Sequence, residues 1–215
     1  MRFGSSEAEA KRKSVNPNRS AQISKMRKCY LGDSYDIVKQ SMIRWLSSFG
    51  EWSVHPMFTE EVLPADAAAF EALLGARLLT AAVLSADTDR SDYLACASSC
   101  GNLFIDPDTG LRMQPLRGPR GPEYLFAAEL LRLTEPRPNS LTLVFDQSVG
   151  RGRERLHLDG KARALRNDGV YAFAYVSHAC FLVAARDRSL VELARTRVLE
   201  ESKLPESRFL PVPAA

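Results

Sequence analysis

At 215 residues the chain is long enough for one sizeable hydrophobic core and short for two full domains. Its apolar fraction of 45%, charged fraction of 26% and net charge of +3 are those of an ordinary globular body, and exclude one that binds polyanions generically. No run of about 18 apolar residues is present to cross a membrane. Four cysteines (Cys29, Cys96, Cys100 and Cys180) are sparse, which is the usage of a reducing compartment, so a cytoplasmic location is expected.

The basic excess sits at the start of the chain. Arg2, Lys11, Arg12, Lys13, Arg19, Lys25, Arg27 and Lys28 face only Glu7 and Glu9. Residues 1–25 therefore read as a solvated, disordered leader. The sharper alternative is an arm that meets nucleic-acid phosphates. The leader lacks the apolar stretch of a secretory signal.

A single α/β domain is expected over residues 26–203. Met26 to Leu31 reads as a short extended lead-in. Gly32-Asp33-Ser34 then starts a helix, with Asp33 or Ser34 able to accept from its free amides. Ile37, Val38, Ser41, Met42, Trp45, Leu46 and Phe49 recur at helical spacing, and Gly50 closes the helix. A strand follows over Glu51 to Phe58, then a helix from Ala65 to Leu74 behind Pro64, and an apolar stretch, Arg77 to Ser85, that suits a buried strand. Ser91 to Ala97 suits a short helix.

The clearest strand is Asn102 to Ile105, stopped at Asp106-Pro107 because proline cannot continue a central ladder. A loop rich in Pro, Gly and Arg (Leu111 to Pro122) leads to a helix over Glu123 to Leu133, which Pro136 and Pro138 break. Ser140 to Phe145 is a strand ending at Asp146, and a polar helix spans about Glu154 to Asn167. Val170 to Val176 and Cys180 to Ala185 are too close in sequence for a crossover helix, so they must pair as an antiparallel hairpin. A last helix, Leu190 to Glu200, precedes a proline-containing tail over residues 204–215. Strands alternating with helices argue for a Rossmann-like, three-layer α/β/α fold, with a mainly parallel sheet ending in that hairpin.

Strand, Asp-Pro, helix, strand, helix and a closing antiparallel pair resemble the second half of a Rossmann-type methyltransferase. Phe104-Ile105-Asp106-Pro107 is similar to the family's apolar-Asp-Pro-Pro-Tyr loop, and Tyr30-Leu31-Gly32-Asp33-Ser34-Tyr35-Asp36-Ile37-Val38-Lys39 resembles the opening of adenine methyltransferases that act on ribosomal RNA. The chain also resembles uncharacterised bacterial proteins that join such an opening to Asp-Pro-Asp-(Asn or Thr)-Gly and a late Ser-His-x-x-Phe. The first resemblance implies S-adenosylmethionine as cofactor, with Asp33, Asp36, Lys39 and His55 beside it and Asp106 holding the target amino group. Two features depart from the family pattern. No glycine loop follows the first strand, which ends Val54-His55-Pro56-Met57-Phe58-Thr59, and Asp108 and Thr109 replace the second proline and the aromatic.

Residue chemistry alone leaves other readings open. Asp106, Asp108 and Asp146 stand at the ends of two strands, where open α/β sheets bind ligands, and gathered carboxylates there suit magnesium or manganese. That would make a metal-dependent nuclease or phosphodiesterase. The same Asp106-Pro107-Asp108-Thr109-Gly110 is also a good turn sequence, and Asp33, Asp36 and Lys39 suit capping and pairing on one helix. His178, after Ser177, suits a general base, a metal ligand or a hairpin residue. Cys96 and Cys100 lack the partners of a zinc site. Ser148 with Gly150-Arg151-Gly152-Arg153, and the arginines Arg112, Arg117 and Arg120, would place basic groups near the aspartates for a polyanionic substrate such as nucleic acid. A non-catalytic binding module in a defence or regulatory complex is the third expectation.

Overall fold

The computed structural model describes residues 31–214; the basic leader, Cys29 and most of the lead-in lie outside them. The described chain is mixed α/β. Its helices are α1 (Ser34–Trp45), α2 (Pro64–Leu74), α3 (Arg90–Ala95), α4 (Ala127–Thr134), α5 (Glu154–Asn167) and α6 (Arg188–Ser202). Its strands are β1 (Trp52–His55), β2 (Arg77–Leu78), β3 (Asn102–Ile105), β4 (Gly110–Arg112), β5 (Tyr124–Phe126), β6 (Thr142–Phe145), β7 (Tyr171–Tyr175), β8 (Phe181–Ala185) and β9 (Phe209–Leu210).

Seven strands form one sheet in the order β2-β1-β3-β6-β8-β7-β9, and β4 and β5 form a small parallel pair beside it. The pairs β1/β2, β1/β3 and β3/β6 are parallel, while β6/β8, β7/β8 and β7/β9 are antiparallel. The sheet is thus mixed rather than mainly parallel. The hairpin itself is as expected, but β8 inserts between β6 and β7, so one hairpin creates two antiparallel seams. A third comes from β9: residues 204–214, set apart by their proline content, return to the sheet and bury Phe209 against β7.

Two other expectations change. Only Arg77–Leu78 of the apolar stretch 77–85 pairs as a strand. It lies at the sheet edge, Ala81 and Ala82 are exposed, Leu78 and Leu79 are half-buried against the core, and Leu84 is fully buried. The helix expected from Glu123 begins instead at Ala127, because the Glu129 carboxylate accepts from the Phe126 amide at 2.9 Å and caps it there. The preceding Tyr124–Phe126 is left extended to pair with β4.

Strand alternation divides the core into two clusters. Leu103, Ile105 and Val144 pack with Leu94 of α3, Leu130 of α4 and Leu158, Ala162 and Leu165 of α5. Val54, Phe104, Leu143 and Phe145 pack with Met42 and Leu46 of α1, Phe70 of α2 and Val191 and Ala194 of α6. Fully buried side chains such as Phe104, Phe173 and Phe181 contribute roughly 1.5–3 kcal/mol each by leaving water.

Candidate functional site

Because β1, β3 and β6 run parallel, their carboxyl ends open at one edge, and the register sets what faces where. Ile105 is level with His55 on one side and with Val144 on the other. One step further, Pro56, Asp106 and Phe145 therefore share the face of α1 and α2. All three line a cleft of about 420 Å³, with Leu31, Asp33, Tyr35, Asp36, Lys39, Phe58, Phe70, Pro107, Asp108 and Gln147.

The floor of this cleft is a buried charge network. Asp33 caps α1 by accepting from the Tyr35 and Asp36 amides at 2.8 and 3.1 Å. Asp36 accepts from the Gly32 amide at 3.0 Å and from Lys39 Nζ at 3.1 Å. Lys39 Nζ reaches across to Asp106 Oδ2 at 2.8 Å and lies 4.7 Å over the centre of the Phe145 ring. Lys39 and Asp106 are each 9% exposed. Burial pushes the Asp106 carboxyl up to about 6, and the Lys39 ammonium offsets that only in part. Burial works against the charge on Lys39, but Asp106 and Asp36 outweigh it and hold its pKa above the ordinary value. Asp106 Oδ1 takes no hydrogen bond from the described residues, which leaves an acceptor at the cleft.

Asp108 stands at the rim, exposed, with Thr59 donating to its carboxylate. It borders a second cavity of about 470 Å³, also lined by Glu60, Thr109 and Glu123. Desolvation pushes its pKa up, and Glu123 and Glu60 add to that against the lowering bond from Thr59. The loop is rigidly placed: the Thr109 amide donates to Glu123 O at 2.8 Å, and the Gln147 amide donates to Thr109 O at 2.9 Å.

The same register sends two expected site residues elsewhere. Asp146 falls one step beyond Phe145, so it turns to the α5 face. There Oδ2 accepts from Lys161 Nζ at 2.6 Å, and Oδ1 accepts from the Leu111 and Ser148 amides at 3.2 and 3.0 Å. Ser148 Oγ lies 2.7 Å from Lys161 Nζ. Gly110 packs so closely here that a Cβ would sit 2.8 Å from Asp146 Cα, at a φ of +130°. This carboxylate braces the Asp106–Gly110 loop and does not line the cleft. Among the described residues no group of three His, Cys, Asp or Glu is placed to hold a metal ion.

His55 is level with Ile105 and so faces α3. It is fully buried, with Nε2 3.2 Å from Tyr93 O and its ring edge-on to Tyr93 at 4.8 Å; Nδ1 has no partner. Burial lowers its pKa despite the Tyr93 contact. His178 is exposed in the β7–β8 turn, with its ring 5.4 Å from that of Tyr35 and its carbonyl accepting from Gln147 Nε2 at 3.0 Å. Cys96 is exposed, and Cys100 and Cys180 are buried free thiols. Arg120 pairs with Glu123 at 3.0 Å, and none of Arg112, Arg117 and Arg120 lines the cleft. His157 accepts from the Gly150 amide at 2.9 Å and so shapes its loop.

The turn after β1 carries no glycine, as its sequence states. Met57 itself adopts the left-handed region, with φ 50°, and buries its side chain in the core. That places Pro56 and Phe58 at the cleft wall.

No helix among the described residues is long and apolar enough to cross a membrane. Comparison of the chain with protein-family models, with curated proteins and with solved structures finds no match.

Proposed function

We propose that this chain is a methyltransferase-like protein of Rossmann-like, three-layer architecture, and that the cleft at the ends of β1, β3 and β6 takes S-adenosylmethionine. The observation that carries the reading is the buried bridge from Asp36 through Lys39 to Asp106, at the foot of a strand-end cleft. Two further features support it. The core divides between α1, α2 and α6 on one side and α3, α4 and α5 on the other. The sheet carries one inserted antiparallel strand, β8, beside β6.

The residues fit the cofactor. A volume of about 420 Å³ lies within the range of small-molecule clefts. Asp33 offers a carboxylate oxygen for an ammonium or ribose hydroxyls, and Phe58 and Phe70 offer an apolar wall for a flat ring. When bound, the cofactor supplies an electrophilic methyl group. Asp106 accepts a hydrogen bond from the acceptor amine through Oδ1 and takes the proton that the amine gives up. Lys39 orients Asp106 and keeps it anionic near neutral pH, while a carboxyl at about 6 is basic enough to hold that proton.

Thermal unfolding of the full chain at millimolar S-adenosylmethionine and S-adenosylhomocysteine tests the reading. A ligand at 100 times its Kd stabilises the fold by about 2.7 kcal/mol. A transition unmoved by either compound overturns the proposal.

A further inference from the structure

Residues 1–30, which lie outside the described part of the chain, hold eight of its 29 basic residues and two of its 26 acidic ones. The rest has 21 basic residues against 24 acidic, so a body of net charge −3 follows a segment of +6. The strand-end cleft concentrates the negative side. Asp33, Asp36, Asp106 and Asp108 line it, and Lys39 is the one cation among the described residues that do so. Asp106 is nine-tenths buried, and its Oδ1, with no hydrogen bond from the described residues, is left for the cleft. Tyr35 lines the same space 37% exposed, its ring braced edge-on by Phe145 at 5.9 Å and by His178 at 5.4 Å. Leu31, the first described residue, is itself part of the cleft wall, so the chain enters the body there.

Lys25, Arg27 and Lys28 stand three to six positions before Leu31. Extended chain spans about 3.3–3.6 Å per residue, which brings all three within reach of the cleft. Their tether makes the encounter intramolecular, at an effective concentration on the order of millimolar, so contacts too weak to hold a free peptide suffice. A lysine or arginine stem lies along apolar walls while its head takes a carboxylate, and a guanidinium stacks on an aromatic face. A ring already braced loses little freedom in receiving it. We propose that the cleft is the docking surface for this chain's own basic segment, residues 25–28, with its cationic heads on Asp106 and Asp108 and its guanidinium on Tyr35. The proposal goes beyond the cofactor reading. It stands on the cleft's charge, its walls and the point where the chain enters, and any small molecule bound there must first displace the segment.

Zero-length carbodiimide coupling of the full chain, mapped by peptide mass spectrometry, tests it, because the reagent joins a lysine amine to a carboxylate only where the two touch. Links from Lys25 or Lys28 to Asp106 or Asp108 within one chain are expected, and about 0.5 M salt should reduce them. Their absence overturns the proposal, as do links from Lys11 and Lys13 to Glu192 or Glu200 of α6 in equal yield. A mixture of heavy-isotope-labelled and unlabelled chains identifies the source, and links between copies would give the cleft to a second molecule and overturn docking within one. Tryptic cleavage supplies a readout free of the reagent. Asp108→Asn, at an exposed rim position, should speed cutting after Lys25, Arg27 and Lys28 by about two- to fivefold relative to cutting after Lys11 and Lys13. An unchanged ratio overturns the proposal. S-adenosylhomocysteine enters neither measurement, so the docking and the cofactor reading stand or fall separately.

Discussion

Lys39 Nζ lies 2.8 Å from Asp106 Oδ2, joining the second turn of α1 to the end of β3 across 67 positions of sequence. It is the tie between the helix that opens the described chain and the loop that carries the candidate chemistry. Removing it as Lys39→Met leaves Asp36 and Asp106 buried without their shared cation. The expected loss is about 3–5 kcal/mol of unfolding free energy. Urea denaturation of parent and variant measures it, and a loss below about 1 kcal/mol would show the bridge to be dispensable.

On the proposed reading, the same pair sets a pH dependence for methyl transfer. The proposed role needs Asp106 anionic, and burial raises its carboxyl to about 6. Methyl transfer is therefore expected to fall about tenfold per pH unit below that value. Lys39 lowers the Asp106 pKa, so in Lys39→Met the acid limb should move to higher pH. A pH–rate profile of both proteins decides this, and an acid limb that stays in place assigns the titration to another group.

His55 supplies an effect of opposite sign on stability. Its pKa is lowered in the folded chain, so below 6.5 the unfolded chain binds the extra proton first. Its contribution is whole above 6.5 and is lost as pH falls through the folded value. Asp106, raised in the fold, instead favours the folded chain increasingly as pH falls from about 6 toward 3.8. The two overlap, so His55 must be isolated by difference. The advantage of the parent over His55→Gln should shrink steadily from pH 7 to pH 5, as read by denaturant midpoints. A constant difference would mean that His55 does not titrate in this range.

Asp146 and Gly110 should affect folding and not the cleft. Lys161→Met strips the buried Asp146 of its cation and is expected to cost about 3–5 kcal/mol. Gly110→Ala forces a Cβ against Asp146 at a φ that side chains avoid, for at least about 2 kcal/mol. Where either variant remains folded, its S-adenosylhomocysteine affinity by calorimetry should match the parent. A tenfold weaker affinity would show that the brace on the Asp106–Gly110 loop reaches the cleft.

Most of the elements were legible in the sequence because their signals are local. Asp33 capping α1, Pro107 ending β3 and the short link between β7 and β8 each act within a few residues. The carboxylate group was read less well, for a reason of parity. Asp106 and Asp146 both follow strands, and one residue of register between β3 and β6 sends them to opposite faces. His55 moved for the same reason. Tyr35, Phe145 and Gln147 have no chemistry in one dimension to mark them, and enter the cleft only through pairings that span the chain. The apolar stretch 77–85 failed as a strand because hydrophobicity does not say whether a neighbour exists to complete the ladder.

The two outermost strands of the sheet, β2 and β9, are each only two residues long. A sheet offers its unpaired amides and carbonyls to any passing chain, and an edge this short gives such a chain almost nothing to grip. β9 moreover covers Ala174 and Tyr175 of β7, a five-residue strand rich in apolar side chains. Removing the last segment from Leu204 onward would uncover that longer, stickier rim. The truncated protein should then self-associate by light scattering at concentrations where the full chain stays dispersed, so the return of the chain to its own sheet is also what keeps one molecule from templating the next.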